Sequence, residues 1–540
     1  MKLNRNGLND HRGWEKAGVA LPHYDVASMV AETISHPVWV NFGGGSLVRS
    51  FHARIQQSLL EQNLVKSGLI TASTFDFEIV DNVYAPFDNL AIMVSLHPDG
   101  TTDKEIVASI AQSLCVGNAY PQDAERMREI FRNPSLQMVT FTITEKGYAL
   151  TGLDGAFLPE IEADLTHGPS QCIHTMSWVA SLLLDRYQAG GFPIAMVSTD
   201  NCSQNGKKLR TSVLTIARKW LENGLVCEGY LNWLCDEEHV SFPWTMIDKI
   251  TPRPAPAVGQ MLTDAGIEQM TPIITRKKTF IAPFVNAEVP QYLVIEDHFP
   301  NGRPPLEKAG VYMTNRETVN QCERMKVFTC LNPLHTALAI FGCLLGYTSI
   351  AAEMRDPQLK ALVERIGLQE GMPVVETPGI LDPAAYIREI LEQRFPNPFI
   401  PDTPQRIATD TSQKVPVRFG ETIKAYIARP DLDVKDLTFI PLTIAGWLRY
   451  LLAVDDSGEA MECSSDPMLQ ILQEQLSGIT LGHPESAAGK LEAILSNPEL
   501  FGTNLVEAGL YPKIEAMFRE LLTGKGAVRK TLEDYIKTHT

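Results

Sequence analysis

Along the first half of the chain apolar residues come in short runs, and along the second half they recur three and four positions apart, as on helix faces. The runs at 38–42, 69–73, 90–96, 138–144 and 194–199 are bounded by glycine, proline or small polar residues, which predicts strands. Between them the segments 46–62, 105–115, 124–131 and 175–189 carry apolar residues at helical spacing. Strand alternating with helix predicts an α/β sheet. The run 240–252 is broken by Pro243 and closed by Pro252, and a last strand is expected at 292–296. Beyond Lys326 the periodic segments 336–352, 358–366, 384–392, 421–428, 442–453, 468–475 and 514–522 are all helical. The pattern therefore predicts an α/β domain over 38–289 and a mainly α-helical domain over 290–540, with 1–37 as an extension laid across the first. The proline-rich stretch 395–416 reads as an irregular loop carrying Arg406 and Lys414.

Composition narrows the function. A chain of 540 residues exceeds one ordinary core, which agrees with two domains. An apolar share of 44% with 21% charged residues is that of a globular chain. The net charge of −17 argues against nucleic acid as a partner, although a local basic patch would suit an anionic small molecule. The nine cysteines are scattered, with no CxxC pair and no ligand spacing to histidine, so reduced thiols, a cytoplasmic location and no metal site are expected. Residues 1–14 lack the apolar core of an export signal. The most apolar window, 336–352, is short for a membrane span and closes on Glu353 and Arg355, so no membrane partner is expected. Oligomeric state is not legible.

Chemistry enters at the ends of the predicted strands. The first runs into Gly43, Gly44 and Gly45 and then a helix opening with Ser46 and Leu47. Strand, glycine turn and helix bring a pyrophosphate onto free backbone N–H groups, which makes the first domain Rossmann-like; Val48 holds the third glycine position of GxGxxG. Asp76 and Glu78 follow the second strand, where an acid binds ribose hydroxyls and favours NAD over NADP. Glu145 and Asn201 leave later strands and are expected to face the same crevice.

Lys326, Asn332 and His335 stand just ahead of the long apolar helix. A lysine is a general acid for carbonyl reduction if its pKa, about 10.4 in water, is lowered by desolvation or a neighbouring cation. An asparagine amide stabilises a developing alkoxide, and a histidine holds a neighbouring hydroxyl. The six-residue step from Lys326 to Asn332 turns about 240° on a regular helix, so a bulge or a late helix start is expected there.

Taken in order, Gly43 to Arg49, Thr142 to Tyr148, Asp200 and Asn201 with Asn205 and Gly206, Val240 to Pro243, Asp248 to Pro252, Asn301 to Pro304, Glu323 to His335 and Arg406 to Lys414 resemble the mannitol dehydrogenase family. The resemblance runs from Val38 to the C-terminus. It implies a nicotinamide-dependent oxidoreductase that needs no zinc, using NAD with NADP possible, whose active site lies in the cleft between a Rossmann domain and a helical domain. It assigns Lys326 as general acid/base, Asn201 and Asn332 as the oxyanion pair and Glu323 as proton relay to solvent. His335, Asp248, Arg406 and Lys414 fall at substrate positions. Two features depart from the family: five residues rather than four lie between Lys326 and Asn332, and Gln204 stands where histidine is common. Gly13 to Pro22 and Leu331 to Leu338 resemble the branch acting on the sugar acids D-fructuronate and D-mannonate, with Arg406 and then Lys414 as carboxylate partners. Mannitol and tagaturonate activities share the same parts and remain alternatives. The alternative of another class is a nicotinamide-binding regulator without turnover.

Overall fold

The short apolar runs of the first half do pair, and in a telling order. The computed structural model describes residues 1–152 and 154–539. In it Trp39–Phe42 (β1), Leu69–Ser73 (β2), Ile110–Cys115 (β3), Met138–Phe141 (β4), Ile194–Ser198 (β5) and Val240–Ser241 (β6) form one parallel sheet. Its strand order is β3-β2-β1-β4-β5-β6. The chain steps outward from β1 to β3, then returns to lay β4 on the other side of β1. A crevice opens where the direction reverses, at the carboxyl ends of β1 and β4. Nearly every strand residue is buried, because both faces of the sheet are covered. Val40, Phe42, Val139 and Met196 pack with the helices Pro121–Arg132, Thr175–Gln188 and Asn205–Glu222. Trp39, Leu69, Met138 and Val197 face the helix Ala53–Glu61 and a second, smaller sheet.

That second sheet corrects one expectation. Segment 105–115 is not a helix: Thr102–Val107 runs antiparallel to Ala91–Leu96, and Ile110–Cys115 is β3 itself. Ile106, Ile110 and Leu114 do sit at helical spacing, but pairing partners far along the chain decide the outcome. Val19–Ala20 adds a parallel strand to the same sheet, so part of the N-terminal extension is structural.

Two compact units emerge, one of 1–97 with 101–320 and one of 98–100 with 321–540. The division expected near 290 therefore lies later. Tyr292–Glu296 pairs antiparallel with Thr245–Asp248, which holds the following segment in the first unit. Within that unit Arg186 is fully buried and gives its five N–H donors to the carbonyls of Phe131, Asn133, Leu136, Phe192 and Pro193. One guanidinium thus replaces water for five backbone acceptors.

The second unit is helical. Asn332–Leu344 and Phe439–Tyr450 are its most buried helices, and they pack so closely that a Cβ at Gly446 would stand 2.7 Å from the Phe341 ring. Glu370 caps the second of these, accepting from the N–H groups of Thr438, Phe439 and Ile440 at 2.6, 2.7 and 2.7 Å. The stretch 395–416 is more ordered than expected: it holds the helix Pro404–Ile407 and most of Thr411–Arg418. A C-terminal helix, Ala527–Thr538, was also not anticipated by spacing. The run Arg316–Leu344 is long and apolar enough to cross a membrane, yet 78% of its apolar window is buried inside the protein.

Candidate functional site

In the first unit the glycine turn is fixed by its neighbours. Gly43 has φ +119°, and a Cβ there would lie 2.3 Å from the Thr142 carbonyl, so only glycine lets β1 leave past the end of β4. Its own carbonyl accepts from Asn41 Nδ2 at 2.7 Å and Thr71 Oγ1 at 2.9 Å, and the Gly44 carbonyl accepts from Tyr84 Oη at 2.9 Å. With these carbonyls held by the protein, the helix that starts at Ser46 leaves its first N–H groups without intrahelical partners. A pocket of about 390 Å³ lies here, lined by Gly45, Ser46, Leu47, Thr142 and Thr144, with Arg253 and Lys278 among its charged residues. A helix N-terminus with two nearby cations suits an anionic pyrophosphate, so a dinucleotide fits the residues present.

Thr144 has φ +65° without being glycine, a strained conformation costing about 1–3 kcal/mol. Asp200 holds it. Its carboxylate accepts the N–H groups of Ile143 and Thr144 at 3.0 and 2.9 Å and the Tyr148 hydroxyl at 2.6 Å, tying the β4 loop to the end of β5. Burial pushes the Asp200 carboxyl up from the ordinary range, against the pull of these three donors. Asn205 continues the tie: its amide bonds the Asp200 carbonyl at 3.0 Å and Thr245 Oγ1 at 2.8 Å. A Cβ at Gly206 would meet the carbonyls of Phe242 and Pro243 at 2.7 Å, so the Asn-Gly pair is structural.

Asn201 follows Asp200 on this fixed loop and is exposed in the described chain. Asp248 ends the strand Thr245–Asp248 and is buried. Asp76 follows β2, as the acid position requires, with its carboxylate accepting from Thr275 Oγ1 at 2.6 Å; Glu78 pairs with Arg276 at 3.3 Å. Glu145 stands apart from the pocket lining: its carboxylate is exposed and paired with Lys208. From that segment Thr142 and Thr144 line the pocket instead.

In the second unit Lys326, Asn332 and His335 lie along one run. Met325–Cys330 forms a π turn, closed by the Leu331 N–H on the Lys326 carbonyl at 3.0 Å. Leu331 then leaves helical geometry at φ −121°, and a fresh α-helix begins at Asn332 with Pro333 in its first turn. The extra residue is thus absorbed by a bulge. Lys326 is only 3% exposed, and Glu323 is half-buried one turn earlier.

His335 Nε2 stands 3.5 Å from Asp402, and its ring lies 5.1 Å from that of Phe395. Burial, and then Arg418, Arg406, Arg394 and Lys414, push its pKa down to about 3, so the imidazole is neutral at working pH. Arg406 is ion-paired with Asp402, and Lys414 donates to the carbonyls of Ile407 (2.9 Å) and Thr409. Arg394 and Arg418, which sequence reasoning passed over, complete a group of four cations acting on one histidine. Reading 395–416 as a loop concealed Arg418; as a helix, Lys414 and Arg418 are four residues apart on one face. Among the described residues no three His, Cys, Asp or Glu side chains gather as metal ligands.

Residues 38–308 match the family model for the mannitol dehydrogenase Rossmann domain, and 318–521 the one for its C-terminal domain. A D-mannonate oxidoreductase of Thermotoga maritima is 52% identical over 99% of both chains. A mannitol 2-dehydrogenase of Emericella nidulans is 29% identical over 94% of this chain and 93% of its own. Among solved structures, a mannitol 2-dehydrogenase of Pseudomonas fluorescens in ternary complex with NAD and D-mannitol superposes with TM-score 0.70 at 26% identity, covering 99% of this chain and 100% of its own. A substrate-free D-sorbitol dehydrogenase shares the fold at TM-score 0.81 and 24% identity, over 98% of this chain and 100% of its own.

Proposed function

The chain belongs to the mannitol dehydrogenase family, and from that premise we propose that it is an NAD-dependent oxidoreductase interconverting D-fructuronate and D-mannonate in the cytoplasm. The observation that carries the sugar-acid reading, beside the 52% identical relative, is the group of four cations on His335. A neutral polyol offers such cations hydroxyl acceptors only, whereas a carboxylate also offers opposite charge.

The dinucleotide is assigned to the Gly43–Gly45 turn and the helix start at Ser46 and Leu47, with Asp76 on its ribose. When bound and reduced, it supplies the hydride that adds to the ketone carbon, C5 counted from the carboxylate. Lys326 gives its proton to the oxygen of that carbon as charge builds there, and takes it back in the oxidative direction. Asn201 and Asn332 are assigned as the amides that stabilise charge present only in the transition state. His335, being neutral, orients a neighbouring hydroxyl rather than transferring a proton. Asp248 holds a further hydroxyl, and Glu323 returns Lys326 to its protonated state through solvent.

The test is NADH oxidation, followed optically with D-fructuronate, tagaturonate and D-fructose. Turnover is expected on fructuronate, and Lys326→Ala should lose about 10²–10⁴-fold in kcat while NADH binding persists. Turnover on fructose or tagaturonate alone would move the substrate to another branch of the family. Binding without turnover on any of the three would make the protein a nicotinamide-binding regulator.

A further inference from the structure

Four cations act on His335, but they are not equivalent. Arg406 is already neutralised by Asp402, and Lys414 gives bonds to the Ile407 and Thr409 carbonyls that fold its own loop. Arg418 differs. Its Nη1 donates to Thr336 Oγ1 at 2.5 Å and to the Asn332 carbonyl at 3.4 Å, both uncharged acceptors, and no carboxylate among the described residues pairs with it. A guanidinium has five donors, so most of this one's are uncommitted to the protein. Burial lowers its pKa to about 10, which leaves it charged throughout the working range.

Two further observations point the same way. Lys414 and Arg418 lie one helical turn apart on Thr411–Arg418, where like charges repel. Burial and then Arg418 lower Lys414 to about 8, against the partial pull of Asp410 and Asp466. A half-buried like-charge pair of this kind is relieved by an anion. The second observation is reach. In fructuronate the carboxylate carbon is four C–C bonds from the reacting carbon, about 5 Å in an extended chain. Thr336, where Arg418 is anchored, is four residues beyond Asn332, about 6 Å along the helix axis.

We propose that Arg418 takes the substrate carboxylate, with Lys414 beside it, and that Arg418 is what makes the site select sugar acids over uncharged ketoses. The inference rests on the substrate reading above. Arg406, the residue that the family resemblance favours for this task, instead pairs with Asp402 next to His335. Guanidinium matches a carboxylate in a bidentate fork, which an ammonium does not.

The experiment compares D-fructuronate with its uncharged methyl ester in the unsubstituted enzyme, Arg418→Gln and Arg418→Lys. The readout is the acid-to-ester ratio of kcat/KM. Arg418→Gln should lower that ratio about 10²-fold, through the KM of the acid, and Arg418→Lys about tenfold. If Arg418 merely steadies the first turn of the Asn332 helix, acid and ester will fall together in kcat and the ratio will hold, which overturns the inference. Should the glutamine variant fail to fold, the lysine variant carries the same test, since it keeps charge but not the fork. An unsubstituted enzyme inert towards fructuronate refutes the substrate reading, and this inference with it. Turnover with an unchanged ratio in both variants refutes this inference alone.

Discussion

Glu353 offers a test of the second unit that involves no substrate. It ends the helix Ile350–Glu353, is 0% exposed, and neither carboxyl oxygen finds a hydrogen-bond partner among the described residues. The carboxyl packs close to Gly342, where a Cβ would stand 2.1 Å from Oε1. Burial, and secondarily the charge of Asp356, push its pKa from 4.5 to about 9. The sign follows directly. Below pH 4.5 the carboxyl is protonated in both folded and unfolded chains, and the fold bears no penalty. Above it the unfolded chain releases the proton while the folded one keeps it, until about pH 9. Stability therefore falls as pH rises through this window, at about 1.36 kcal/mol per pH unit. Between pH 5 and pH 8 that amounts to about 4 kcal/mol. Glu353→Gln keeps the shape and removes the proton. Other groups titrate too, so the quantity to read is the difference between the two proteins. Urea unfolding at pH 5 and pH 8, with hydrogen exchange of the Asn332–Leu344 amides to assign it to this unit, should show the variant gaining on the parent by about 4 kcal/mol. A difference that does not change with pH would mean that the carboxyl ionises normally and the reasoning is wrong.

Two further outcomes follow from the sites. Gly43→Ala places a Cβ 2.3 Å from the Thr142 carbonyl at φ +119°, so NADH affinity should fall more than about tenfold while the fold survives; unaltered affinity in a fluorescence titration would refute the role of the turn. Lys414, with its pKa lowered to about 8, loses its charge above that pH, so the KM for fructuronate should rise there while the KM for the methyl ester does not. Lys414→Arg should move that rise to higher pH, and an ester profile that tracks the acid would show that Lys414 is not the titrating group.

The parts of the fold that could be read from the sequence are those whose signal is local. The buried strands Trp39–Phe42, Leu69–Ser73 and Ile194–Ser198 announce themselves as apolar runs between breakers. The segment 105–115 failed because its apolar spacing fits a helix as well as two strands, and only the partners at Ala91–Leu96 and β2 choose between them. The boundary failed for the same reason, since Tyr292–Glu296 belongs where Thr245–Asp248 holds it. In the candidate site, motifs could nominate residues but could not reveal those defined by convergence. Asp200 matters because two N–H groups more than fifty positions earlier end on its carboxylate. Arg418 matters because its guanidinium meets Thr336, 82 positions away. Neither relation leaves a trace in spacing.

The Lys326–Asn332 step shows how a spacing rule and a physical constraint part company. Counted as a motif, the interval is one residue too long. Counted as geometry, an α-helix would turn the two residues about 240° apart, with each residue adding about 100°. The π turn over Met325–Cys330 closes i to i+5 rather than i to i+4, so one residue is taken up in widening the turn. Leu331 then breaks the helix, and Asn332 is positioned by its own helix start and by the Arg418 contact on its carbonyl. Lysine and asparagine are therefore anchored separately. The π turn sets the backbone at Lys326, whereas the buried Asn332–Leu344 helix sets Asn332 and His335. A π turn weakens local hydrogen bonding, and such turns are frequent at functional sites without being confined to them; others here span Val48–His52, Val80–Tyr84, Arg365–Gly371 and Ile390–Arg394. The irregular interval thus marks the place where this helix gives up regularity beside a buried lysine, and the extra residue by itself is no argument against the chemistry proposed for it.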